Sequence, residues 1–363
     1  MKRNSKIDIL KGIAILLVVM GHTCFGGTEY IYLFHMAVFF MASGYFFRDK
    51  QSDSVSSLFT SIKKRLQKIW VPFVVWNAIF TLLNNVFIKM NIYTSDEIVS
   101  EYLKKSLVSI HHHMGIKEMA VNIVKGIFLA GHTELGGTFW FLRALFYIAV
   151  AYLCINFILL KLLKNDTAVI VSQAVISVVF LITGFVMGKK GFNSLGLDLM
   201  FSYYCLYFLG IVAGRITPTL EKHLTTKLYL LLTVIGIAII GILNNFGSIA
   251  LDHNKYDNPI LLLVASVVGW IMLYSLSSVV ELVPSISKVF TYLGQNSIII
   301  MIFQFLFFKP VSLLIAMVKG WPLQTVAGFP VSYTEGAWWI LYTVVSTALC
   351  SLVAYIWKRI HHK

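Results

Sequence analysis

The sequence predicts an all-α fold: a polytopic membrane helical bundle of about ten transmembrane helices, with both termini cytoplasmic. Three observations carry that prediction. Hydrophobic residues make up 58% of the 363 residues and charged residues only 13%, whereas a soluble domain needs roughly 25% charged residues to cover its surface. Apolar runs long enough to cross ~30 Å of hydrocarbon recur from end to end. The basic residues, which give a formal net charge of +14, lie mostly in short segments flanking those runs, where they set orientation. No separate basic domain is present to bind nucleic acid.

The expected spans, in order, lie near 9–26, 31–47, 69–88, 138–160, 167–187, 199–215, 228–245, 258–280, 291–314 and 336–357. The first follows a basic stretch, but Thr23-Cys24-Phe25-Gly26-Gly27 lacks the small-residue pattern of a cleavage site, so an uncleaved helix is expected. The run 119–131 is too short to span and is expected to be re-entrant or interfacial. With the N-terminus inside, 19 of the 30 Lys and Arg residues fall on the inner side and 10, Lys309 among them, on the outer side. Five of those ten lie in a long outer loop over about 89–137, and Arg143 is left within a span. An even number of spans fits this distribution. No internal repeat and no hydrophilic domain at either end is apparent, so a single domain over 1–363 is expected. Cys24, Cys154, Cys205 and Cys350 are scattered through apolar runs, which indicates neither a disulfide framework nor a zinc site.

Lys11 and His22 interrupt the first apolar run. Eleven residues is three helical turns plus about 20°, so they share a face roughly 16 Å apart along the axis. Asp8, one turn before Lys11, is on the same side. Lys11 alone reads as a snorkelling anchor; His22 alone reads as a buried interhelical hydrogen bond or a functional group. Their shared face favours function. His35 opens the second helix from the side that His22 approaches, and Ala42-Ser43-Gly44 permits close packing there. Two histidines without a third ligand do not make a metal site. Arg65 and Lys68, one turn apart, enter from the cytoplasm, either as a positive-inside anchor or as an anion site. Trp140 suits an interface belt, and Arg143, two turns into its span, should face the interior and find a partner. His111-His112-His113 and His132 read as adventitious metal binding or a solvated face of the outer loop rather than as catalytic groups.

Together these residues form a pattern. The run IDILKGIAILLVVMGH resembles the opening of the integral-membrane acyltransferase 3 family, with Asp8, Lys11, Gly12 and His22 at the matching positions. His35-Met36 through Ser43-Gly44, Arg65-Leu66-Gln67-Lys68 with Pro72, Trp140-Phe141-Leu142 and Leu293-Gly294-Gln295-Asn296-Ser297 resemble its later blocks. Lysine stands at 68 where the family pattern has a second arginine, and Gln304 stands where many relatives carry a histidine. The compact branch that includes fucose 4-O-acetylase-like polysaccharide-modifying enzymes is the most similar.

The resemblance implies O-acylation, chiefly O-acetylation, of a cell-surface or lipid-linked carbohydrate by a multi-pass protein of the bacterial inner membrane. Cytoplasmic acyl-CoA would be the donor substrate, with no permanently bound cofactor; polysaccharide-biosynthesis machinery is an implied partner. Lys11, Arg65 and Lys68 would hold the CoA phosphates. His22 would be general base or transient acyl acceptor, with His35 assisting, Asp8 alongside Lys11, and Arg143 stabilising an oxyanion or an acidic acceptor. Trp140 and Ser43 would contact substrate. From the residues alone, a polysaccharide exporter or a membrane anchor stays open, because intramembrane Lys, His and Arg also suit an aqueous path.

Overall fold

The computed structural model describes residues 4–95, 102–103, 109–163, 165–193 and 195–361. Of the charges used for orientation, Lys2, Arg3, Lys104, Lys105, Lys164 and Lys363 lie outside the described residues. The protein is 78% helical, and a two-residue antiparallel ladder, β1 (Ile249–Ala250) with β2 (Lys255–Tyr256), forms a loop clip. The expected all-α polytopic architecture is therefore what the chain adopts.

The helices are α1 (Ser5–Gly21), α2 (Thr28–Tyr32), α3 (His35–Tyr45), α4 (Val55–Arg65), α5 (Val71–Leu82), α6 (Asn84–Lys89), α7 (Ile116–Ile127) and α8 (Phe139–Leu162). They continue with α9 (Asp166–Lys189), α10 (Leu197–Leu220), α11 (Thr226–Leu243), α12 (Pro259–Val280), α13 (Pro284–Gln295), α14 (Ser297–Lys319) and α15 (Trp338–His361). Among the described residues, seven helical stretches are long and apolar enough to cross a membrane, and they correspond to the last seven expected spans. The first three expected spans are built differently. α1 has 17 residues. The run 31–47 breaks at Leu33-Phe34, which leaves an 11-residue α3 only ~16 Å long. The third is a continuous helical stretch from α4 to α5 that passes through a π-helical turn, Leu66–Trp70. Pro72 explains the turn: it has no N–H for the carbonyl four residues back, and the ladder shifts so that Val71 N–H bonds Leu66 O instead.

The chain divides into two compact units. The first comprises Met1–Ala14, Glu29–Phe73 and Trp140–Thr291. Its central contact is α3 on α10, where small residues bring backbones together: a Cβ at Gly44 would lie 2.0 Å from Tyr207 O, and one at Gly210 would lie 2.0 Å from Met41 O. The packing expected at Ala42-Ser43-Gly44 is thus present, with Gly210 and Gly214 as its counterpart. A buried polar chain ties the 3-10 turn Asp49–Gln51 to the bundle. Tyr204 OH donates to Gln173 Oε1 at 2.7 Å, Gln173 Nε2 to Asn156 Oδ1 at 3.2 Å, and Asn156 Nδ2 to Asp49 Oδ1 at 3.1 Å. Arg215 closes it with a 2.8 Å ion pair to Asp49 Oδ2.

The second unit comprises Ile15–Thr28, Val74–Phe139 and Tyr292–Lys363. α14 is its central helix and packs along α15. Lys309, expected on the outer flank, is instead buried within α14 at 3% exposure. Its ammonium donates to the carbonyls of Val326, Ala327 and Gly328 at 3.1, 3.2 and 3.0 Å. It satisfies the C-terminal carbonyls of the 3-10 turn Leu323–Ala327 and needs no water.

Candidate active site

In the first unit α1 brings Asp8 and Lys11 together. Three residues apart on the helix, they form an ion pair of 3.3 Å, with Asp8 buried and Lys11 partly open to solvent. Removing the cation leaves a buried carboxylate without it, which for a dry pair costs about 3–5 kcal/mol. Lys11 still reaches water, so the smaller effect of about 1–2 kcal/mol is expected here. Lys11→Met should therefore unfold at a lower temperature than the double variant Asp8→Asn/Lys11→Met; thermal unfolding of both in detergent checks it.

Arg65 ends α4 and Lys68 lies on the π-helical turn, so the irregular ladder falls between the two cations expected to hold an anion. π-Turns of this kind recur at functional positions. Arg65 Nη2 donates to Gln51 Oε1 at 3.4 Å, and its guanidinium lies beside the Tyr207 hydroxyl. Arg65 Nε and Tyr207 OH are both buried, and each group is the other's polar neighbour there. Lys68 is exposed.

His35 is buried at the first position of α3. Its Nδ1 lies 2.8 Å from Ile31 O, and the ring stacks on Tyr32 with centroids 5.1 Å apart. A carbonyl only accepts, so Nδ1 carries a proton and donates it to Ile31 O. Ser43 Oγ bonds back to Phe39 O at 3.0 Å, within its own helix.

Trp140 and Arg143 stand on α8, where Trp140 is buried beside Phe141. Tyr147 on the same helix and Asp198, buried in the first turn of α10, both lie in electrostatic range of the Arg143 guanidinium. Gly196 covers the same group: its φ of +76° suits glycine, and a Cβ there would meet Arg143 Nε at 2.6 Å. Asp198 and Gly196 were not recognisable from sequence; a carboxylate opening an apolar span was the signal available.

His22 belongs to the second unit and directly follows Gly21, the last residue of α1. Its ring meets Phe305 of α14 edge-on, with centroids 4.9 Å apart and a 69° interplanar angle. Among the described residues its imidazole has no hydrogen-bond partner. Phe305 is held by Phe329 at 4.7 Å. Gln304, next to it, is fully buried; its Nε2 donates to Met301 O at 3.4 Å while Oε1 is left without a hydrogen bond. Among the described residues, no group of three or more His, Cys, Asp or Glu side chains is arranged to hold a metal ion.

The histidine triplet is not a uniform solvated face. His112 is exposed and pairs with Glu118 at 2.7 Å. His111 stacks flat on buried Tyr93, centroids 3.9 Å apart and 7° from parallel, with its Nε2 3.4 Å from Glu134 Oε2.

A family profile described as an acyltransferase domain matches residues 4–355, nearly the whole chain. No curated relative and no solved structure matches it.

Proposed function

Because the chain belongs to the acyltransferase 3 family, we propose that this membrane acyltransferase moves an acyl group, acetyl first, from acyl-CoA at the cytoplasmic face to a hydroxyl of a cell-surface or lipid-linked carbohydrate. One observation supports the reading most. α1 starts with the Asp8–Lys11 pair and is followed at once by His22, an imidazole that no described side chain engages by hydrogen bonding. A cation at one end and an open base at the other suit a donor that enters from one side of the membrane and an acceptor that waits on the other.

In this reading Lys11, Arg65 and Lys68 bind the CoA phosphates, with the Arg65 guanidinium set beside the Tyr207 hydroxyl. The acceptor hydroxyl oxygen forms a bond to the thioester carbonyl carbon while His22 takes its proton. The C–S bond then breaks, the thiolate leaves, and protonation gives free CoA and a sugar ester. His35, Ser43, Trp140 and Arg143, all in the first unit, are the further residues that this reading assigns to the acceptor and its oxyanion. The transport alternative has no observation in its favour.

The test is acyl transfer by the purified protein in sealed vesicles, with acetyl-CoA and surface glycans from a deletion strain. Thiol release that depends on glycan, matched by acetyl ester on the glycan, is the expected result. Thiol release with no ester formed would overturn the reading.

A further inference from the structure

We propose that the polar cavity lined by α5, α6, α7 and the loop that precedes α8, wholly within the second unit, holds one sugar ring of the acceptor; the inference rests on the acyl-transfer reading above. The cavity encloses about 350 Å³, inside the usual range of small-ligand sites. Its walls are pinned by side-chain amides. Asn77 Oδ1 accepts from Thr133 N–H at 2.9 Å, and Asn84 Nδ2 donates to His112 O at 3.0 Å. The loop carrying the cavity is thereby anchored to buried positions of the helices below it.

The wall chemistry selects among ligand classes. An acyl chain needs a lining that is apolar throughout, and here amides, hydroxyls and imidazoles share the wall with Met114, Ala130 and the Tyr93 ring. A phosphate needs concentrated positive charge, whereas Lys125 shares this lining with the carboxylate of Glu134. What remains is a mixture of amides, hydroxyls, a carboxylate and imidazoles, which matches sugar hydroxyls because each of those both donates and accepts.

His111 Nε2 and Glu134 Oε2 face each other at 3.4 Å on the wall without an aligned hydrogen bond, so a ligand hydroxyl that accepts from one and donates to the other suits the pair. Burial holds the Tyr93 phenol well above its ordinary pKa, so it stays protonated beneath the His111 ring as a neutral platform. Lys309 lies in electrostatic range of Glu134 and offsets its charge, which favours an uncharged ring.

α7 gives the cavity its setting. Asn122 and Lys125 line the cavity, while Ile116 and Phe128 stand 89% and 70% exposed on the other side of that segment. An apolar stripe of this kind lies in the membrane interface, where a surface or lipid-linked glycan is presented.

Saturation-transfer NMR on the full-length protein in nanodiscs tests the site, with glucose, galactose, N-acetylglucosamine and maltose as probes. At least one probe is expected to give a signal in the wild type that falls at least fivefold in Glu134→Gln and in Gly131→Leu, with acetyl-CoA binding unchanged. Glu134→Gln keeps the side-chain shape. A Cβ at Gly131 meets nothing within 4 Å, so Gly131→Leu adds bulk at the cavity edge without a backbone clash; if one variant fails to elute as a single species, the other decides. No signal in the wild type, or signals that survive the variants, would overturn the proposal. The readout needs no turnover, so failure of this site and failure of acyl transfer register separately.

Discussion

His22→Ala is expected to insert and fold like the wild type and to lose at least ~100-fold in acyl transfer, the lower end of what a general base supplies. The folding half follows from its surroundings. The ring makes an edge contact with Phe305 and no hydrogen bond to a described side chain, and Phe305 retains Phe329 when His22 is truncated. No buried polar partner is stranded, so the usual large penalty does not arise. His35 differs in this respect, because its Nδ1–H satisfies the Ile31 carbonyl at the break between α2 and α3. Ester formed on glycan by His22→Ala in reconstituted vesicles, alongside its elution profile, separates the two halves. Activity within tenfold of the wild type would remove His22 from the chemistry.

The second large effect concerns the fold. Gly44→Val and Gly210→Leu should each destabilise the protein by at least ~3 kcal/mol and leave little monodisperse material. A Cβ at either position stands 2.0 Å from a carbonyl oxygen of the facing helix, and at Gly214 the distance is 2.2 Å. The obstruction is backbone, so no rotamer change relieves it; α3 and α10 must separate. Gly241→Ala is the control: it lies in α11 with nothing within 4 Å of its Cβ, and should be neutral or slightly stabilising. Fluorescence-detected size exclusion after graded heating compares the three. Equal stability of Gly44→Val and Gly241→Ala would contradict the packing described.

Much of this architecture could be read from hydropathy, because α8 to α12, α14 and α15 are uninterrupted apolar helices whose limits follow from the membrane's thickness. The first third of the chain was less legible. A hydropathy window over 31–47 sees one apolar run and cannot see that Leu33-Phe34 leaves the helix, since nothing polar marks the break. The π-helical turn was foreshadowed by Pro72, although a proline in a span predicts a kink without saying how the ladder will be repaired. At the candidate site, residues standing out against lipid, such as Lys11, His22 and Arg143, declared themselves by polarity alone. Their partners did not. Asp198 opens a span where a carboxylate passes for a flank residue. Lys309 reads as a flank charge because the three carbonyls that satisfy it come from a loop more than a dozen residues away. His111 reads as part of a histidine tract because Tyr93 and Glu134, which set it apart from its neighbours, are distant in sequence.

The polar chain running from Tyr204 to Asp49 has a sense of direction. Each link donates toward the aspartate: phenol to Gln173, Gln173 amide to Asn156, Asn156 amide to the carboxylate, with Arg215 donating from the far side. An ionised carboxylate can only accept, and a two-faced amide can point either way. The single anion at one end therefore sets the orientation of every neutral amide behind it. In this way one charge aligns dipoles on three successive spans, α8, α9 and α10, and writes a common polarity into a stretch of protein that hydropathy records as featureless.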